Sequence, residues 1–135
     1  MKQRTRKFAL DVIRLVEDLP RDMVSEVLGK QLLRSGTSVA ANYRSATRAK
    51  SSADFINKMS IVEEEADESA LWMDLLEASS RLPSEAAQPM IKEAGELTAI
   101  AVASIRTARR TAAESRDGAR TASVPRSALR APRSS

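Results

Sequence analysis

The sequence predicts an all-α protein, an antiparallel up-down-up-down four-helix bundle, and three observations point that way. The 135 residues are rich in Ala, Leu, Glu, Arg, Lys and Met, side chains that lose little on entering a helix. β-branched residues never form the alternating runs that a sheet needs. Pro20, the Ser51–Ser52 pair and Pro83 divide the chain into four apolar-periodic stretches, which short turns would join as antiparallel neighbours.

The first helix is predicted from Thr5 to Asp18, on Phe8, Val12, Leu15, Val16 and Leu19, and Pro20 stops it. Asp22 is placed to cap the second, with Ser25 and Glu26 in its first turn. That helix runs from Met23 to about Arg48, with Val24, Leu28, Leu32, Ser35, Val39, Asn42 or Tyr43, and Ala46 inward. Ser35, Gly36, Thr37 and Ser38 weaken it locally, but no Pro interrupts it, so the pattern reads as one helix with a close-packed waist. Ser51 or Ser52 caps the third, which continues to about Arg81. Its stripe of Phe55, Met59, Val62, Ala66, Ser69, Met73, Leu76 and Ser80 alternates steps of four and three, the rhythm of left-handed bundle packing. Trp72 and Leu75 widen this face toward a second surface. The fourth helix begins at Ser84 or Pro89, turns Met90, Ala94, Leu97, Ala101, Ile105 and Ala108 inward, and closes with Arg106, Arg109 and Arg110 at the negative end of its dipole. Residues 1–113 form the bundle. Residues 114–135, rich in Ser, Ala, Pro and Arg, read as a disordered basic tail.

Composition narrows the chemistry. Cys and His are both absent, so disulfides and thiolate metal sites drop out, together with the commonest general base and metal ligand. No apolar run approaches the ~20 residues of a membrane span. The basic N-terminus is soon interrupted by Asp11, Arg14, Glu17 and Asp18, which does not suit a signal peptide. A cytoplasmic protein without a cofactor is the expectation.

The charges are segregated. The chain carries 22 Lys plus Arg against 18 Asp plus Glu, a net +4. The tail, with five Arg and two acids, accounts for +3 and leaves +1 for residues 1–113. Between Glu26 and Asp54 stand Lys30, Arg34, Arg44, Arg48 and Lys50 with no acid. Between Lys58 and Arg81 stand Glu63, Glu64, Glu65, Asp67, Glu68, Asp74 and Glu77 with no base. If helices two and three turn near residue 51, Arg34 falls level with Glu68 and Arg44 with Lys58. One end of that hairpin is then purely basic: Arg44, Arg48, Lys50 and Lys58. With Lys2, Arg4, Arg6, Lys7 and the tail, it suits an RNA or DNA backbone, although no aromatics interleave the arginines for base stacking.

The enzyme-like pattern is carboxylate. Glu65-x-x-Glu68 and Glu93-x-x-Glu96 each place two acids at i and i+3, as in Mg-dependent all-α nucleotide pyrophosphohydrolases. EEEADE lacks a flanking polar pocket, and the second pair sits in ordinary solvent-facing helix sequence. Ser35, Thr37 and Ser38 have no His to activate them. A non-enzymatic reading follows.

The motifs RSGTSVAANYR at 34–44, RAKS at 48–51, DFI at 54–56, IVEEEADE at 61–68 and the LWMDLL run at 71–76 resemble the four-helix-bundle family of ribosomal RNA intervening sequences. That family includes the accessory variability determinant of diversity-generating retroelements. The resemblance covers about residues 5–113. It implies an antiparallel bundle assembling into a homo-oligomer, typically a pentamer, without known enzymatic activity; for the retroelement members it implies binding of nucleic acid and a reverse transcriptase. Arg34, Asn42, Arg44, Arg48, Glu64, Glu65 and Glu68 stand at motif positions. Many members have ANIAEG where this chain has ANYRSA, and the basic tail lies outside the family pattern. The expectation is an oligomeric nucleic-acid-associated accessory protein with Arg34, Arg44, Arg48, Lys50 and Lys58 on the nucleic-acid surface. Glu64, Glu65, Glu68 and Trp72 are assigned to the subunit interface.

Overall fold

In the computed structural model, which describes residues 1–123, four helices follow one another: α1 (Lys2–Glu17), α2 (Met23–Thr47), α3 (Ser52–Ala78) and α4 (Ser84–Ser123). They form the predicted antiparallel bundle. Asp22 caps α2 by accepting the Ser25 N–H at 2.8 Å, and Ser51 caps α3 by accepting the Asp54 N–H at 3.0 Å. The Ser25 N–H, followed by the guanidinium of Arg81, holds the Asp22 carboxyl below its ordinary range.

The α3–α4 turn closes earlier than the periodicity suggests. Ser80 sits at φ 63°, in the left-handed region. The Arg81 N–H donates to the Leu76 carbonyl at 2.8 Å and the Ser80 N–H to that of Glu77 at 2.9 Å, a Schellman ending. Ser80 therefore leaves the inner stripe and lies exposed in the turn, in a conformation that glycine adopts at lower cost.

Phe8, Val12, Leu32, Val39, Met59, Val62, Ala66, Met73, Leu76, Ala94, Leu97 and Ala101 are buried in one core. The predicted stripe of α3 is inward from Met59 to Leu76. On α2, Val24 is 40% exposed instead, because one helical position separates it from the buried Ser25 that the cap draws inward.

The waist is physical. A Cβ on Gly36 would meet Val12 Cγ1 and Cγ2 at 2.8 Å, so α1 and α2 approach at a distance only glycine permits. On the other side of α2, buried Ser35 and Ser69 share a hydroxyl–hydroxyl hydrogen bond of 2.8 Å, and Ser69 donates to the Glu65 carbonyl at 2.8 Å. One turn outward, Arg34 Nη1 donates to Glu65 Oε2 and Nη2 to Glu68 Oε1, both at 2.9 Å. The levels deduced from the sequence hold: Arg34 meets Glu68.

α1 has 16 residues and α4 has 40, about 24 and 60 Å at 1.5 Å per residue. Beyond the N-terminus of α1, the seat between α2 and α4 stays open as a groove of about 780 Å³, whose walls include Ala46, Phe55, Ile100, Ala103 and Thr107. α4 begins at Ser84 with Pro89 inside it, and it does not stop at 113. Ala112, Ala113, Glu114 and Arg116 favour the helix, which continues to Ser123 through the first ten residues assigned to the tail; residues 124–135 lie outside the described residues. Arg106, Arg109 and Arg110 are thus mid-helix, far from the dipole end they were expected to complement.

The waist can be tested by stability. Gly36→Ala is expected to destabilise by about 1–2 kcal/mol despite the better helix former, since the stiff Val12 cannot yield. Gly95→Ala, where an added Cβ meets nothing, should stabilise by up to ~1 kcal/mol; urea unfolding of both variants compares them. Ser35→Ala and Ser69→Ala should each cost about 1 kcal/mol. The double variant should cost less than their sum, since the second removal strands no partner.

Candidate nucleic-acid and assembly surfaces

The α2–α3 register distributes the predicted residues unequally. Arg44, in the last turn of α2, and Arg48, its C-cap residue, complement the helix dipole while remaining exposed. Lys50 is exposed in the turn and Lys58 is half-buried on α3. These four share one end of the molecule. Arg34 does not join them: its guanidinium is held by Glu65 and Glu68 of the same chain.

The acidic set divides in the same way. Glu65 is 8% exposed and, with Glu68, answers Arg34. Glu64 remains free to face outward, as do Asp67 and Asp74. Trp72 is half-buried against the core, and its Nε1–H is buried without a hydrogen-bond partner.

Around Trp72 lies an apolar surface that the heptad pattern covers only in part. Leu71 is 47% and Leu75 39% exposed on α3; Val24 and Val27 are 40% and 54% exposed on α2. The register that sets Arg34 against Glu68 sets Val27 against Leu75, so the four side chains lie on one α2–α3 face. Val27 is three residues from Val24, and Leu75 four from Leu71; that spacing, on the flank of the inner stripe, was the available signal.

The second Glu-x-x-Glu pair is also closed by an arginine. Arg4 donates from Nε to Glu93 Oε2 at 2.8 Å and from Nη2 to Glu93 Oε1 at 2.7 Å, with Glu96 3.7 Å away. This bidentate clamp ties α1 to α4. Among the described residues, no group of three or more acidic side chains is arranged to hold a metal ion, and no helix is long and apolar enough to cross a membrane.

The remaining cations that matter are on α4. The groove walls place residues 46–55 beside residues 100–111, so Arg106, Arg109 and Arg110, all exposed, reach the same end as Arg44, Arg48 and Lys50. In one dimension they look like dipole partners; in three they enlarge the basic end.

The Arg4 clamp has a pH signature. Its hydrogen bonds hold the Glu93 carboxyl below the ordinary glutamate range. A depressed carboxyl stabilises the fold above its unfolded pKa, about 4.3, and that contribution is lost as pH falls through the folded value. Glu93→Gln is therefore expected to lower the melting temperature near neutrality. The gap from the parent protein should begin to narrow as pH falls below about 4.3 and close once pH has passed the lower folded-state value, as measured by thermal unfolding across a pH series.

Comparison with known proteins agrees with this architecture. The family model described as 23S rRNA-intervening sequence protein matches residues 1–103. A crystal structure of a protein with unknown function from the S23 ribosomal protein family, from Bacteroides thetaiotaomicron, is similar at a TM-score of 0.72 and 35% sequence identity. The match covers 77% of this chain and 96% of that one. No curated protein matches. With the matched segment spanning α1, α2, α3 and the first half of α4, the chain belongs to the 23S rRNA-intervening sequence protein family.

Proposed function

We propose that this protein is a non-enzymatic assembly and binding protein, which associates with copies of itself through the α2–α3 face and holds nucleic acid at its basic end. The observation that carries this reading is the separation of charge along the bundle. Arg44, Arg48, Lys50, Lys58, Arg106, Arg109 and Arg110 cluster at the hairpin-turn end, where Asp54 is the acid on α3's first turn. The acidic stretch from Glu63 to Glu77 occupies the other half of α3. A predominantly basic surface of this kind concentrates a polyanion through counterion release.

The opposite half supports association. An exposed patch of Val24, Val27, Leu71 and Leu75 beside Trp72 is what a protein–protein contact would cover. Because Glu65 and Glu68 are committed to Arg34, self-association draws on the aliphatic side chains and Glu64 instead. The alternative reading, a Mg-dependent nucleotide hydrolase, receives no support from the geometry: each carboxylate pair is spent on an arginine.

Two measurements test the proposal. Replacing Arg44, Arg48, Lys50 and Lys58 together by Gln should weaken binding to a nucleic-acid duplex and lower the salt slope by about one for each phosphate no longer neutralised. Leu71→Glu with Leu75→Glu should reduce the mass found by light scattering to that of one chain. A parent protein that binds no nucleic acid at low salt would sink the first part; an unchanged mass would sink the second.

A further inference from the structure

Beyond the stretch that matches the family, α4 continues from Ser104 to Ser123 as one helix. Resting on the reading above that the basic end holds nucleic acid, we propose that this extension is a helical arm that lies in the major groove of B-form DNA.

The first support is the one-sidedness of the arm. At 100° per residue, positions 106, 109, 110 and 116 fall within about 120° of one another around the helix axis. Ser104, Thr107, Ala108 and Thr111, which line the groove against α2, lie on the other side. Arg106, Arg109, Arg110 and Arg116 are all exposed. The arginine face is therefore turned away from the bundle, and Arg116 extends it past the last residue that lines the groove. Glu114 falls outside this face, and Asp117 lies within it, at an angle between those of Arg106 and Arg110.

The second support is where the arm goes. Residues 46–55, at the α2–α3 turn, lie level with residues 100–111. The 12 residues from Ala112 to Ser123 therefore project about 18 Å past the bundle, and residues 114–118 are exposed on every side.

The third is what the arm lacks. Its described side chains past 111 are Ala, Glu, Ser, Arg, Asp and Gly. With no large apolar face, it cannot sink into a lipid surface; with no aromatic, it lacks the stacking platform on which single-strand binders rely. A slim rod with arginines along one face suits a duplex. The B-DNA major groove, about 12 Å wide, admits a helix, whereas the major groove of A-form RNA is too narrow to be entered. DNA is thus the duplex the rod fits.

The test uses the full chain and fluorescence anisotropy with a 20-bp DNA duplex and an RNA duplex of the same sequence. In one variant Arg106, Arg109, Arg110 and Arg116 become Gln. In a second, Ala113→Pro keeps every charge but breaks the rod. Both should retain the parent's melting transition, since the altered positions lie outside the core. DNA binding is expected to weaken about 10-fold or more in the first, with a salt slope lower by about one per phosphate released. It should also weaken in the second, and the parent should prefer DNA to RNA. Affinity within about twofold of the parent for both arm variants, while the Arg44/Arg48/Lys50/Lys58 variant loses binding, would overturn the arm and leave the basic end standing. Equal or tighter binding of the RNA duplex would overturn insertion into the DNA groove. No binding of either duplex by the parent would remove the basic-end reading and the arm with it.

Discussion

The crossing of α2 and α3 at Arg34–Ser35 and Glu65–Glu68–Ser69 is the constraint from which the surfaces take their places. A buried hydroxyl pair and a two-carboxylate clamp, one turn apart, admit a single register between the helices. Sliding the pair by one turn would break the bond between the two hydroxyls and part a shielded carboxylate from its guanidinium, each an unfavourable change. The aliphatic rows of the two helices could slide with little penalty. Polar matching supplies what apolar packing alone leaves undetermined.

That register was legible. The turn near residue 51 sets it and puts Arg34 level with Glu68, and the α3 stripe from Met59 to Leu76 follows from its alternating steps. Gly36 and Ser35 announced a narrow waist by size alone. Three features were hidden for physical reasons. Val24 lies on the flank of the buried row that runs Ser25, Gly29, Leu32, Gly36 and Val39 along α2, so it faces outward. The α3–α4 turn depends on a serine in the left-handed region, where composition would favour glycine. The length of α4 was masked by Ser, Thr and Gly residues; the Ala and Arg between them sustain the helix, whose stretch past residue 113 needs no core.

Arginine does two separate jobs in this molecule. Arg4 and Arg34 are structural: each reaches from an earlier helix to a Glu-x-x-Glu pair on a later one, α1 to α4 and α2 to α3. Arg44 and Arg48 near the hairpin turn, and Arg106, Arg109, Arg110 and Arg116 on α4, face solvent. Sequence segregation placed Arg34 with the second group because a lone cation and a committed one read alike in one dimension. Only the level of the facing residue tells them apart, and it also shows why neither acidic pair is left as a cation cage.

Trp72 is the one tryptophan in the chain, and it sits at the margin of the exposed aliphatic face. Indole emission shifts with the polarity around the ring, so this residue is a built-in optical probe, requiring no dye. Dilution of the native protein while following its fluorescence colour would report whether that margin becomes wetter, as the proposed self-association requires.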